Sequence, residues 1–247
     1  MLTRRSFLAT ALASGLLIRP AQAKPPAREL LGIERPELFG DGFNLRKEAA
    51  QAFEAMQKEA RQAGIEIYSQ SSYRSFDHQK RIWNRKYRWF RDRQMSSEQA
   101  VAAILRYSSL PGGSRHHWGT DADLVDHAVE QPASLLTAKN YHAGGAFEKL
   151  YDWLNEHAHR FDFHLVYTQR ESRPGFSYEP WHWSYAPLGV PYLKAYQELD
   201  LYKAIPVEEL GGHEQLDADF FQRYMKEWAL GINPRLLPDS MKPEEQS

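Results

Sequence analysis

The 247-residue chain contains no cysteine. That absence excludes disulfides, thiol nucleophiles, thiolate-held iron–sulfur clusters and zinc sites of the thiolate type. Net charge is nearly missing as well. Thirty-one basic side chains face 32 acidic ones, for a formal charge of −1, so no global field draws the chain to nucleic acid or to an anionic membrane. No apolar run approaches the ~20 residues that span a bilayer. Repeats and low-complexity tracts are absent, and 26% charged with 42% hydrophobic residues is the composition of a globular protein, not of a disordered, collagenous or coiled-coil one. What the chain has in unusual number is ten histidines and seven tryptophans.

The first 23 residues read as an address. Arg4 and Arg5 form a basic start, Phe7 to Ile18 is a short apolar run, and Ala21-Gln22-Ala23 is a small-residue cleavage site. Thr3-Arg4-Arg5-Ser6-Phe7-Leu8 resembles a twin-arginine export signal. Its removal takes away three arginines and no acid, so the expected mature chain is mildly acidic, periplasmic or otherwise extracytoplasmic, and without a stable membrane anchor.

The remaining sequence divides into a Pro- and Gly-rich lead-in (24–44), a domain over 45–191 and a mostly helical extension with a polar tail (192–247). Leu45, Ala49, Ala52, Phe53, Met56, Ala60 and Ala63 recur at helical spacing and stop at Gly64. Helices are also expected over Asp77 to Arg93, from Ser96 (with Gln99 as a capping box) to about Tyr107, from Ala146 to His159, and from Tyr192 onward. Strands are expected at Ile65–Tyr68, Ala122–Val125, Phe163–Tyr167 and Trp181–Tyr185. Uneven helices between short strands, with no βαβ repeat, predict an α+β fold around a small antiparallel sheet.

Two segments concentrate chemistry: Ser114-Arg115-His116-His117-Trp118-Gly119-Thr120-Asp121-Ala122-Asp123 and Tyr178-Glu179-Pro180-Trp181-His182-Trp183. Without thiols, a catalytic zinc site needs three His or carboxylate ligands and an open position. His116, Asp123 and His182 supply such a set. Spacing leaves His117 as a rival to His116 and Asp121 as a rival to Asp123, since alternate strand residues share a face.

The pattern Ser-x-His-x-x-Gly-x-x-x-Asp followed downstream by Glu-x-Trp-His resembles the VanY-type D-alanyl-D-alanine carboxypeptidases, zinc peptidases of the LAS group. Tyr73-Arg74-Ser75 with Gln79, and Trp153-Leu154-Asn155 with Phe161 to Tyr167, extend the resemblance over about 45–190. It implies one Zn²⁺ on His116, Asp123 and His182, with Glu179 as general base. Arg74 would then face the scissile carbonyl or the substrate's terminal carboxylate. Gln79, Ser114 and Trp181 are expected on the substrate side, and the substrate is a peptidoglycan stem peptide losing a terminal D-amino acid. An L,D-carboxypeptidase or endopeptidase of the same fold, or a non-catalytic peptidoglycan binder, are the rival expectations. Three residues depart from the family pattern: Asp121 replaces a frequent Ala, Ser184 a frequent basic residue and Asp162 a frequent Gly. Asp121 and Ser184 are expected to bear on substrate preference.

Strict strand alternation would place Glu179 and His182 on opposite faces, so Pro180 is expected to introduce a kink. Residues 80–93 interleave seven basic residues with Trp83, Tyr87, Trp89 and Phe90. For an acidic exported chain that pattern reads first as a solvated helix face, and second as a contact for an anionic cell-wall polymer.

Overall fold

Four short strands make one antiparallel sheet: β1 (Ile67–Ser71), β2 (Asp121–Asp126), β3 (Phe163–Leu165) and β4 (His182–Tyr185), in the order β1-β2-β4-β3. The computed structural model describes residues 24–169 and 173–242; the expected leader (1–23) and the end of the tail (243–247) lie outside the described residues. Among the described residues the sheet is joined by eight α-helices: α1 (Ala27–Leu30), α2 (Lys47–Gln62), α3 (Phe76–Arg91), α4 (Ser97–Leu105), α5 (Glu148–His157), α6 (Ala186–Gln197), α7 (Leu201–Ala204) and α8 (Ala218–Tyr224). The fold is α+β, as the uneven element pattern predicts. None of these helices is long and apolar enough to cross a membrane.

The helix ends follow local chemistry. Ser75 caps α3 by accepting from the His78 N–H, and Ser96 with Gln99 forms the expected capping box on α4. Gly64 follows α2 with φ +70°, the left-handed stop that a Cβ would strain. Asp162 also sits at φ +61°, which explains why glycine is common there and why a short polar side chain is tolerated. The helix expected from Tyr192 begins six residues earlier, at Ala186. Pro187 lies in its first turn, where proline's missing N–H has no intrahelical partner to lose, and Pro191 lies inside the helix.

Two hydrophobic cores flank the sheet. One gathers Ala49, Phe53, Met56 and Ala60 of α2 and Leu150 and Leu154 of α5 against Ala122, Leu124, Trp183 and Tyr185 of the central strands. The other unites Phe76 and Trp83 of α3, Ile104 of α4, Leu193 and Tyr196 of α6 and Phe220 and Tyr224 of α8 with Trp118 and Tyr167. Residues beyond 191 therefore share a core with α3 and α4, and α6 runs through that position. Full burial of aromatics such as Phe53 and Phe163 is worth several kcal/mol each on truncation, roughly 3–5. The site-bearing strands are thus clamped from both sides.

Candidate metal centre

Register decides which side chains meet. Asp123 of β2 lies opposite His182 of β4, and Asp121 lies opposite Ser184. Alternation puts all four on one face, while Ala122 and Trp183 turn to the core behind. On the other flank a bulge between Ser69 and Ser71 breaks the β1–β2 ladder. The chain leaving it carries Ser72 and Arg74 to the edge of the same face.

The third element is the segment after Pro111-Gly112-Gly113. A single 3-10 turn, Arg115–Trp118, ends at Gly119, whose φ is +69°. A Cβ at Gly119 would be strained by this left-handed conformation and would press on Leu38 Cδ2 (2.8 Å), so the conformation favours glycine. This turn delivers two adjacent, fully buried histidines with different work. His116 Nδ1 donates to the Ser72 carbonyl (2.6 Å), which leaves Nε2 as the acceptor facing Asp123. His117 uses both nitrogens within the chain: Nδ1 donates to the Arg74 carbonyl (2.6 Å) and Nε2 accepts from the Gly112 N–H (3.0 Å). The ambiguity between them is thereby resolved in favour of His116.

His116 Nε2 lies 3.4 Å from Asp123 Oδ1, and His182 Nδ1 lies 3.8 Å from the same oxygen. One donor atom from each of the three residues fits within 4.8 Å. Bonds of about 2.0–2.1 Å in a tetrahedron require donor separations of roughly 3.4 Å, so the spacing suits a small tetrahedral cation. His116 Nε2 and Asp123 Oδ1 are also buried and without a hydrogen-bond partner among the described residues. Each such orphan costs ~1–3 kcal/mol, a penalty that a cation between them would remove. Burial, aided by Arg74, lowers the His116 pKa to about 4, so its imidazole is neutral and ligand-ready. Burial would raise the Asp123 carboxyl, but His116, His182 and Arg74 outweigh it and keep it ionised.

Asp121 lies outside the cluster of donors that could hold a metal. It is fully buried behind His182, accepting from His182 Nε2 (3.0 Å), Arg115 Nε (2.8 Å), Thr120 Oγ1 (2.6 Å) and Ser184 Oγ (2.7 Å). Burial opposes its charge, yet Arg115 and His182 hold its carboxyl far below the usual range. Arg115 also donates to Ser184 Oγ (2.7 Å). The two departures from the family pattern, Asp121 and Ser184, join Arg115 in one network that holds the His182 ring from behind.

Glu179 reaches the centre because residues 179–182 form a turn, closed by the His182 N–H on the Glu179 carbonyl (3.1 Å), and β4 starts only at His182. Its Oε2 lies 3.2 Å from His182 Nδ1. Burial pushes its carboxyl pKa up, partly offset by His182. Opposing carboxylates act on His182 as well: burial depresses its pKa, but Asp121 and Glu179 lift it to about 9.

Arg74 stands across the cleft with Nη2 3.9 Å from Asp123 Oδ2. Its N–H donates to the His116 carbonyl (3.1 Å) and its carbonyl accepts from His117, so the histidine pair grips its backbone at both ends. Gln79 is fully buried, accepting from Arg74 Nη1 (3.0 Å) and donating to the Ser109 carbonyl (2.8 Å). It braces Arg74 and is not a solvent-facing helix residue. Ser114 is buried, its hydroxyl without a partner among the described residues. Trp181 packs beside Tyr141 (5.9 Å), on the core side, and does not line the cleft.

The cleft itself, about 30 Å³, is walled by Arg74, Tyr107, Ser109, Tyr167, Glu179 and His182, with Phe176 and Ser108 alongside. Sequence reasoning missed Tyr107, Tyr167 and Phe176 as wall residues. Nothing in their spacing separates them from core aromatics.

A four-stranded antiparallel sheet presenting a buried His-Asp-His cluster beside a glutamate defines an α+β scaffold with a candidate metal site. Residues 42–188, more than half of the chain, match the VanY family of D-alanyl-D-alanine carboxypeptidases, and the chain belongs to that family. It is 29% identical over 160 residues to the putative carboxypeptidase YodJ of Bacillus subtilis (64% of this chain, 51% of the relative). It is also 29% identical over 127 residues to a D-alanyl-D-alanine carboxypeptidase of Enterococcus faecalis (51% and 42%). The chain spans about half the length of the curated relatives it matches. Among solved structures, VanYB in complex with D-alanine-D-alanine superposes with a TM-score of 0.51 at 24% identity (71% of this chain, 90% of that one). A vancomycin resistance D,D-pentapeptidase VanY variant in complex with Zn(II) gives 0.50 at 23% (74% and 90%). These likenesses establish the fold.

Proposed function

We propose that this chain is an extracytoplasmic zinc carboxypeptidase that removes a terminal D-amino acid, of the D-Ala-D-Ala type, from peptidoglycan stem peptides. The observation that carries the reading is the pair of orphaned, buried donors, His116 Nε2 and Asp123 Oδ1, converging with His182 Nδ1 beside Glu179. The zinc-bound VanY relative and the D-alanine-D-alanine complex of VanYB support the choice of metal and substrate class. The arginine pair and apolar run at 3–18 support twin-arginine export.

His116, Asp123 and His182 would hold the ion. Zinc bound there supplies a Lewis acid and lowers the pKa of water toward ~7. Glu179 accepts the proton of the attacking water and passes it to the leaving amine, a role suited to a buried carboxyl of raised pKa. Arg74, braced by Gln79 and by the two histidines, offers a fork of donors to the terminal carboxylate or to the developing oxyanion. The Arg74 guanidinium at the cleft wall, a receptor for a terminal carboxylate, supports a chain terminus over an internal bond. Mass spectrometry of muropeptides incubated with the purified protein tests the reading. Loss of one terminal D-Ala, abolished by a chelator, supports it; internal cleavage makes the protein an endopeptidase, and unchanged muropeptides a binder.

A further inference from the structure

The basic, aromatic face of α3 is not absorbed by the chemistry above. Arg85, Lys86, Trp89 and Phe90 of α3, with Ile104 of α4 and Tyr107, line a second groove of about 330 Å³. No acidic side chain lines it. Tyr107 belongs to the walls of both the groove and the cleft, so the two adjoin at its ring. Trp89 and Tyr107 are half exposed, an apolar floor that the fold leaves open.

Lys86 stands at the junction. Its ammonium donates to Ser108 Oγ (2.5 Å), and Ser108 lines the cleft. Lys80, one and a half turns earlier, is paired with Asp77 and Glu209. Among the described residues no carboxylate lies within ion-pair distance of the Lys86 ammonium, although the charge of Glu179 across the cleft reaches it, and the side chain is partly buried. A partly buried cation whose direct hydrogen-bond partner is a hydroxyl has donors to offer an incoming carboxylate.

We propose that this groove binds the part of the substrate upstream of the scissile bond, and that Lys86 selects a carboxylate there. The inference rests on the peptidase reading and names its substrate as an acidic peptide. In a stem peptide the γ-linked D-glutamate carries such an α-carboxylate, a few residues before the terminal D-Ala, and its amidated form does not.

The test measures kcat/KM of the zinc-loaded protein on two pentapeptides ending in D-Ala-D-Ala that differ only in γ-D-Glu or D-isoglutamine. The expected result is an about tenfold preference for the acidic peptide at low salt, equivalent to ~1.4 kcal/mol. That preference disappears in Lys86→Met, persists in Lys86→Arg and narrows as salt rises. Equal turnover of the two peptides by the wild type, or an undiminished preference in Lys86→Met, overturns the inference and leaves the peptidase reading standing. Cleavage of neither peptide by the wild type overturns that reading, and the inference with it.

Discussion

Asp121 Oδ2 lies 3.0 Å from His182 Nε2, on the side of the ring opposite the metal cluster. The contact makes Nε2 the donor and leaves Nδ1 directed at Asp123 and Glu179. A ligand histidine held by a carboxylate from behind keeps its tautomer and ring angle. Here Arg115 and Ser184 hold that carboxylate in turn.

Asp121→Asn should therefore weaken zinc binding by roughly 10–100-fold, measured by competition with a chromogenic chelator. Thermal stability should fall too, because Arg115 is left as an uncompensated buried charge. An unchanged zinc affinity would remove Asp121 from the support of the centre.

The adjacent histidines should separate cleanly. His116→Gln should abolish stoichiometric zinc binding. His117→Gln should keep about one equivalent of zinc but lower kcat/KM, because the Arg74 carbonyl and the Gly112 N–H lose their partner. Metal analysis of both variants alongside peptidase assays checks this, and loss of zinc in both would make the division of labour wrong.

Gln79→Leu is expected to leave metal content alone while raising KM about tenfold or more, by releasing the Arg74 guanidinium from its brace. The variant also orphans the Ser109 carbonyl, so zinc content serves as the control that the fold survives. A normal KM would show that Arg74 needs no such support.

Metal removal should cost stability as well as activity. With zinc at a thousandfold over its Kd, binding contributes about 4.1 kcal/mol, so the apoprotein should melt roughly 8–16 °C lower. Calorimetry with and without chelator reads the difference. Coincident melting curves would mean that the orphaned His116 and Asp123 atoms are not relieved by a cation.

Much of this site can be read from the sequence because its parts are local. Gly119 marks the turn, the i, i+2 spacing puts Asp121 and Asp123 on one face, and Pro180 marks the turn that brings Glu179 round to His182. What stays hidden depends on partners distant in sequence. His116 and His117 are equivalent until Ser72 and Arg74 arrive from β1's bulge to claim one nitrogen of each. Asp121 looks like a rival ligand until β4 sets Ser184 and His182 beside it. The same holds for α6, whose first turn at Ala186-Pro187 precedes the helix expected from Tyr192.

The central claim is that Glu179 does proton chemistry at a zinc centre it does not build, and Glu179→Gln tests it most directly. Zinc content and hydrolysis of an N-acylated D-Ala-D-Ala peptide should be measured on the same preparation. The account predicts one zinc per chain, as in the wild type, with turnover reduced by at least 10²–10⁴-fold, the usual worth of a positioned general base. Turnover near wild type with zinc retained would contradict it.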